Sequence, residues 1–450
     1  MKAQVLYDIG EISYTDVDKP VPGENEALVK VRACGICGSD IPRIYKTGAH
    51  NMPLIPGHEF SGVVEECVSQ PDLVDKRVGI FPLKPCMECP QCQSRHYEMC
   101  ENYDYLGSRC DGGFADYVVA PVWNLIPISD EVTDNEAAML EPMCVAVHAM
   151  RKAGLGLRAM CFEGNADAKE QLLPESCAGA EDQSPSGLHA GVKEQLSPDS
   201  CTGAEEQLPS GQRDDANKSI VICGLGTIGL LLAMFLKDAG YNNVLCIYNK
   251  DIQRVMLLEM GYSADNLWDY RTGDPADFIR ERTTRQAISG AAQSQILSDG
   301  SNATSVQNKT PGSDVYFECI GTSEAYERAV SFAAPLGTVV LVGNPASDMS
   351  LKREVYWKIL RNQLKLVGTW NSSFYGNPLV DSKVSNGAGA KTTYIDDWNY
   401  VLSRLPKIRK SGFSPENLIT HRFTLDEMQK GLEIMRDKSE EYIKVMVGVE

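Results

Sequence analysis

Residues 1 to about 120 alternate short β-branched runs with Gly and Pro: Glu26-Ala-Leu-Val-Lys-Val31, Ser61-Gly-Val-Val64, Arg77-Val-Gly-Ile-Phe81 and Phe114-Ala-Asp-Tyr-Val-Val119. Runs of this length bounded by turn formers predict strands, and their density predicts an all-β, partly barrel-like unit. From Asn135 the period lengthens. Glu136-Ala-Ala-Met-Leu-Glu141 and Cys144-Val-Ala-Val-His-Ala-Met150 read as helix, with Pro142 expected to interrupt it; an acid just before such a break can face a pocket, although Glu141 taken alone reads as a solvated acid. Further on, apolar runs alternate with helical patterns: Ser219-Ile-Val-Ile-Cys223, Leu230 to Leu236, Asn243-Val-Leu-Cys-Ile-Tyr248, Val315-Tyr-Phe-Glu-Cys319, Glu324 to Phe332 and Thr338-Val-Val-Leu-Val342. Strands and helices in this order predict a doubly wound parallel sheet. From Leu351 the chain mixes helices with Leu364-Lys-Leu-Val-Gly368 and Tyr442-Ile-Lys-Val-Met-Val447, expected to return and complete the first unit. The fold class is therefore α/β: a mostly-β domain over 1–152 and 345–450, and a parallel-sheet domain over 153–344.

Two polar stretches break the pattern, at 163–216 and 286–312. The first contains a tandem duplication: Lys169-Glu-Gln-Leu-Leu-Pro-Glu-Ser-Cys-Ala-Gly-Ala-Glu-Asp-Gln-Ser-Pro-Ser-Gly187 recurs almost residue for residue from Lys193 to Gly211. Its Pro, Gly, Ser and acidic content leaves too little apolar surface to fold alone, so both stretches read as surface insertions.

Composition narrows the function. The 43 Lys and Arg against 61 Asp and Glu leave a formal charge of −18, which offers no general attraction to nucleic acid or to an anionic membrane. No window approaches the roughly eighteen apolar residues of a membrane span, and the amino terminus passes directly into a strand pattern. A cytoplasmic protein with reduced thiols is expected; 15 cysteines, an odd number, also fit a disulfide framework poorly.

Three clusters carry chemistry. Cys34-Gly-Ile-Cys-Gly-Ser-Asp40 and Gly57-His-Glu59 supply a thiolate, an imidazole and a carboxylate, which with a further acid can hold Zn²⁺ with an open position. Cys86, Cys89, Cys92 and Cys100 form a C-x2-C-x2-C-x7-C lobe suited to structural zinc, with an Fe–S cluster or a redox pair as the alternatives. Gly224-Leu-Gly226-Thr227-Ile228-Gly229 joins a strand to a helix, the context in which this glycine pattern binds a dinucleotide pyrophosphate. At the end of the next strand, where an acid reads the ribose 2′-hydroxyl, stands Tyr248, followed by Asn249 and Lys250; with Arg254 nearby, the balance favours NADP(H), although Asp251 lies close.

These motifs, together with Asp111-Gly-Gly-Phe-Ala-Asp-Tyr117 and Glu141-Pro142, resemble the zinc-dependent medium-chain alcohol and polyol dehydrogenases almost end to end. The resemblance implies a GroES-like catalytic domain and a Rossmann domain, one catalytic and one structural zinc, NAD(P), and a homodimer or homotetramer. It implies that Cys37, His58 and either Glu59 or Glu141 ligate the catalytic zinc, and that Asp40 orients His58. Cys34 has no family role. Ser39 takes the proton of the substrate alcohol, whose hydride passes to the nicotinamide. Relatives relay that proton through a His at the position held here by Pro42, which leaves His50 or water. Cys37 to His50 and Tyr103-Asp-Tyr-Leu-Gly-Ser-Arg109 look most like the polyol-phosphate branch, so a substrate of the galactitol 1-phosphate type is expected, with Arg43, Lys46 or Arg109 meeting its phosphate. Unphosphorylated polyols, vicinal diols and L-threonine are the alternatives, and a catalytically silent NADPH-binding relative is another.

Overall fold

The computed structural model describes residues 1–156, 217–283, 312–377 and 395–449. The duplicated segment and nearly all of the second polar stretch lie outside them. Two sheets organise the chain. The first has seven strands in the order Ile419–Thr424, Lys444–Gly448, Glu26–Ile36, Glu59–Cys67, Arg77–Ile80 and Leu125–Pro127, with Tyr117–Pro121 paired to Glu26–Ile36. Apart from the parallel pair formed by Ile419–Thr424 and Lys444–Gly448, its neighbours run antiparallel.

The second sheet is parallel and six-stranded, ordered Leu267–Asp269, Val244–Tyr248, Ile220–Cys223, Ser313–Glu318, Ala333–Leu341 and Lys365–Gly368. In chain order this is 3-2-1-4-5-6, the dinucleotide-binding arrangement. Its central strand explains the uninterrupted apolar run: Ile220 and Ile222 enter one buried cluster while Val221 and Cys223 enter another, so both faces are covered. Among the described residues no helix is long and apolar enough to cross a membrane.

Two elements depart from the sequence reading. Lys365–Gly368 pairs with Ala333–Leu341 and is the sixth parallel strand, not part of the barrel-like unit. A four-residue strand carries too few side chains for its pattern to select a sheet; the helix Arg353–Arg361 before it makes it the last strand–helix–strand step. Pro142 likewise does not interrupt a helix. The break falls at Met139, between Asp134–Ala138 and Leu140–Lys152, and Pro142 sits in the first turn of the second helix, where its missing N–H costs no hydrogen bond.

The helix Leu140–Lys152 packs against Thr227–Asp238 and Asp397–Lys410, and one apolar cluster runs from Phe81 and Leu83 through Met143 and Val147 to Ile222 and Val315. Within this junction Asp397 is fully buried. It accepts from Ser373 N–H (2.7 Å) and Oγ (2.8 Å), lies 2.8 Å from His148 Nδ1, and pairs with Arg151 Nε at 2.6 Å. Burial opposes its ionisation, but His148 and Arg151 outweigh burial and hold the carboxyl below its ordinary range. A lowered folded pKa contributes stability that is full above the unfolded value, about 4, and is lost as pH falls through the folded value. Asp397→Asn should therefore lower the unfolding free energy by about 3 kcal/mol at neutral pH. In urea titrations the gap to wild type should narrow below about pH 4; a gap that does not change with pH would mean the charge is not what holds the junction.

Candidate active site and metal centres

The register of one antiparallel pair closes the twenty-residue separation between the first two motifs. Cys34 lies opposite Phe60 and Gly35 opposite Glu59, so the turn after Ile36 brings Cys37 onto His58 and Glu59. Atoms of these three side chains lie within 4.8 Å of one another. His58 and Glu59 are buried, while Cys37 is partly exposed and opens the group on one side. Gly57 takes φ +98, and a Cβ there would stand 2.8 Å from Cys34 Sγ and 2.9 Å from Phe114, so the approach to His58 admits no side chain.

Charge explains the arrangement. Burial pushes the Cys37 thiol up, but the His58 ring more than offsets it and brings it down to about 6. Burial also disfavours a charged His58, yet Asp40 and Cys37 raise it to about 10. Asp40 Oδ1 lies 3.5 Å from His58 Nδ1 and Oδ2 accepts the Cys37 N–H at 2.9 Å, so one carboxylate braces both groups. Ser39 Oγ donates to Cys37 Sγ at 3.3 Å. Cys34 is fully buried, and burial raises its thiol well above the ordinary value.

Glu141 stands in the first turn of Leu140–Lys152, partly buried, and Tyr105 Oη donates to its Oε1 at 3.3 Å. Burial raises its carboxyl to about 7, against the opposing pull of His58. Glu59 is held differently: Lys444 Nζ, buried in the last strand, donates to Glu59 Oε2 and to the Ile36 carbonyl at 3.1 Å. A Cβ on Gly35 would fall 2.5 Å from Glu59 Oε2 and 2.6 Å from the Lys444 side chain, so glycine makes room for the pair. Sequence reasoning missed both Lys444 and Tyr105. The available signal for the first was a Lys inside an apolar strand, since a fully buried ammonium needs a partner.

The donor chemistry fits a metal at both clusters. Cys86, Cys89, Cys92 and Cys100 place their sulfurs within 4.8 Å of one another, with Cys86 to Cys92 at 4.0 Å and Cys89 to Cys100 at 3.9 Å. Tetrahedral Zn–S bonds of about 2.3 Å give sulfur separations of about 3.8 Å. An Fe–S cluster would hold the thiolates farther apart because several atoms lie between them. The described cysteines are all free.

The nucleotide motif fits its ligand too. Gly224 takes φ +96 with Cys319 and Ile320 within 3.0 Å of a built Cβ, and a Cβ on Gly229 would meet Gly224 O at 2.1 Å. Gly226 faces open space at the start of Thr227–Asp238, where a pyrophosphate can approach the helix end. Thr227 Oγ1 donates to Ile443 O at 2.7 Å, and Ile228 packs against the core. Tyr248 ends its strand, buried; Lys250 Nζ lies 4.6 Å from the Tyr442 ring centroid. Asp251 is claimed by Arg271 at 2.5 Å, and Arg254 is exposed.

The three cations expected to meet phosphate are not gathered together by their bonding. Arg43 pairs with Asp40, and Arg109 lies 4.2 Å from the Tyr103 ring centroid and donates to Tyr103 O at 3.2 Å. Lys46 is exposed, as is His50, and among the described residues no hydrogen bond joins His50 to Ser39.

Comparison with known proteins accounts for this geometry. Residues 23–130 match the alcohol dehydrogenase GroES-like domain and residues 227–380 the zinc-binding dehydrogenase model. The chain is 27% identical over 413 residues to galactitol 1-phosphate 5-dehydrogenase of Escherichia coli K12, covering 91% of this chain and 88% of that protein. It is 23% identical over 429 residues to L-threonine 3-dehydrogenase of Cronobacter sakazakii, covering 94% and 92%. Among solved structures, galactitol-1-phosphate dehydrogenase from Escherichia coli superposes with a TM-score of 0.68 at 24% identity over 99% of both chains. An NADP-bound zinc-binding dehydrogenase of Sinorhizobium meliloti gives 0.66 at 22% identity over 99% and 98%. The chain belongs to the zinc-dependent medium-chain alcohol and polyol dehydrogenases, oxidoreductases acting on CH–OH groups.

Proposed function

We propose that the protein oxidises a secondary alcohol of a polyol or polyol phosphate, of the galactitol 1-phosphate type, with NADP⁺ preferred over NAD⁺. The observation that carries this reading is the convergence of Cys37, His58 and Glu59 within 4.8 Å, with Glu141 held beside them by Tyr105. When bound, zinc supplies the Lewis acidity that makes an alcohol proton labile, and the nicotinamide supplies the hydride acceptor. Cys37 and His58 are the ligands in this proposal, with Glu59 and Glu141 competing for the remaining place. Asp40 keeps His58 oriented. Ser39 takes the substrate proton, and because Pro42 has no group to pass it on, water completes the route. The cysteine lobe holds the structural ion.

The NADP preference is supported by Tyr248 in place of an acid, by the capture of Asp251 by Arg271, and by Lys250 and Arg254. For phosphate, Lys46 is the cation whose charge is unengaged among the described residues; Arg43 and Arg109 already have partners. We assign the nucleotide-binding domain to 153–344 together with the helix Arg353–Arg361 and the strand Lys365–Gly368, and the remainder to the catalytic domain. A dimer or tetramer is supported by Tyr356, Trp357, Leu360 and Leu366, which are exposed beside this edge strand of the parallel sheet.

Metal content tests the two centres independently. Wild type should carry two zinc ions per chain by elemental analysis; Cys37→Ser should lose one along with turnover, and Cys89→Ser the other along with thermal stability. A single ion in wild type that survives Cys37→Ser, with no turnover, would instead favour a silent relative. Substrate class is read from a spectrophotometric screen of galactitol 1-phosphate, galactitol, butane-2,3-diol and L-threonine with each dinucleotide. NADP⁺ should exceed NAD⁺ in kcat/KM, and Lys250→Ala should cost about tenfold with NADP⁺ and little with NAD⁺, as expected for one charge-assisted contact. Equal losses with both would assign Lys250 a structural role against Tyr442.

A further inference from the structure

The segment after the sixth parallel strand, Gly368 to Phe374, lies at the carboxyl end of the sheet, the side on which parallel sheets bind ligands. It is firmly supported. Trp398 Nε1 donates to Ser372 Oγ at 3.0 Å, and Ser373 is held by Asp397. Between these anchors and the strand, Asn371 takes a left-handed conformation, φ 53, which asparagine tolerates better than other side chains. Its Oδ1 accepts from Tyr105 Oη at 3.4 Å, the same hydroxyl that reaches Glu141 at 3.3 Å, and the Tyr105 ring meets His58 edge-on with centroids 5.9 Å apart. The amide is thus one phenol away from the proposed metal ligands.

Its other end is unused. Asn371 Nδ2 is sequestered from solvent and has no hydrogen-bond partner among the described residues. The donor is the unpaired end because Oδ1 faces the Tyr105 hydroxyl; an amide turned over would leave Oδ1, an acceptor, unpaired instead. A buried N–H without a partner is costly, and this one calls for a partner the described chain does not supply, an ordered water or a ligand. The backbone anchors exclude a loose loop as the reason.

We propose that Asn371 is a specificity residue whose Nδ2 donates to the hydroxyl oxygen on the carbon next to the reacting CH–OH. This rests on the alcohol-oxidising role proposed above and narrows it to vicinal diols and polyols. An ammonium on that neighbouring carbon, as in L-threonine, has no lone pair to accept the N–H and would be rejected. Tyr105, whose one hydroxyl hydrogen is shared between Glu141 Oε1 and Asn371 Oδ1, positions the amide.

The test compares each alcohol that wild type oxidises with its analogue lacking the neighbouring hydroxyl, starting with butane-2,3-diol and butan-2-ol, at saturating dinucleotide. Wild type should favour the diol by about 30–100-fold in kcat/KM, the range expected for a buried donor left unpaired by the analogue. Asn371→Ala should bring that ratio to within about threefold. Asn371→Asp keeps the shape and the oxygen facing Tyr105 but loses the donor, and should do the same, so a poorly folding alanine variant does not decide the matter. KM for the dinucleotide should change by less than about twofold in either variant. An unchanged ratio, or a loss confined to the dinucleotide KM, overturns the assignment while leaving the dehydrogenase reading intact. Absence of turnover with every alcohol in wild type would overturn both.

Discussion

Gly35 pairs with Glu59 across two antiparallel strands, and on its other side Gly35 pairs with Met446 of the final strand. That register decides the rest of the site. It brings Cys37 onto His58, and it lets Lys444, two residues before Met446, pass over a position with no side chain to reach Glu59. A shift by one residue would turn every side chain of the strand to the opposite face, taking Glu59 away from Lys444 and His58 away from Asp40 together. The pairing is protected because both faces of Glu26–Ile36 are largely buried. The register is therefore fixed by the packing of Val29, Val31 and Ile36, and not by the polar groups whose positions it sets.

A buried ion pair is seldom a net gain in stability, since desolvating two charges offsets most of their attraction. Lys444 and Glu59 are better understood through local charge. Cys37, Asp40 and Glu59 are acidic groups packed with His58, Lys444 and Arg43, so the bare cluster balances when His58 is protonated. A divalent ion replaces that single proton and leaves an excess of positive charge. Glu141, brought to about 7 by burial, is poised to ionise in response, since a nearby cation favours the carboxylate. Two acids with different holders can thus serve one position at different charge, one fixed by an ammonium and the other by a neutral phenol.

How much of this was legible in the sequence depends on whether the information was local. The Gly224 to Gly229 turn and the thiol lobe are local patterns whose spacing states their chemistry, and the structure assembles both; Cys37 and His58, about twenty residues apart, were paired through the family resemblance, and the strand register brings them together. The central parallel strands were legible because their burial on both faces leaves unbroken apolar runs. The helix boundary at Met139 was not, because Pro142 is equally compatible with a break and with a first turn. Lys365–Gly368 was too short to declare its sheet. Arg43 and Arg109 looked like free cations because their partners, Asp40 and the Tyr103 ring, become neighbours through turns whose geometry residue type alone does not specify.

Lys444, Tyr105 and Asn371 share a deeper reason for being hard to read. Each reaches the site from a separate part of the chain, and each acts on a group that the motifs already name: Lys444 on Glu59, Tyr105 on Glu141, Asn371 through Tyr105. Lys444 is placed by the strand register, whereas Asn371 and Glu141 are placed by the junction where Leu140–Lys152 packs against Asp397–Lys410 and where Asp397 ties Ser373 to His148. Because Glu141 and His148 lie on the same helix, the contact that anchors the segment carrying Asn371 also anchors the helix carrying Glu141. Displacing that helix would move Glu141 relative to Cys37 and Asn371 relative to Tyr105 at once. The proposed metal ligand and the proposed substrate-reading amide are thus referred to one rigid support, which allows both to meet the Tyr105 hydroxyl although they are far apart in sequence.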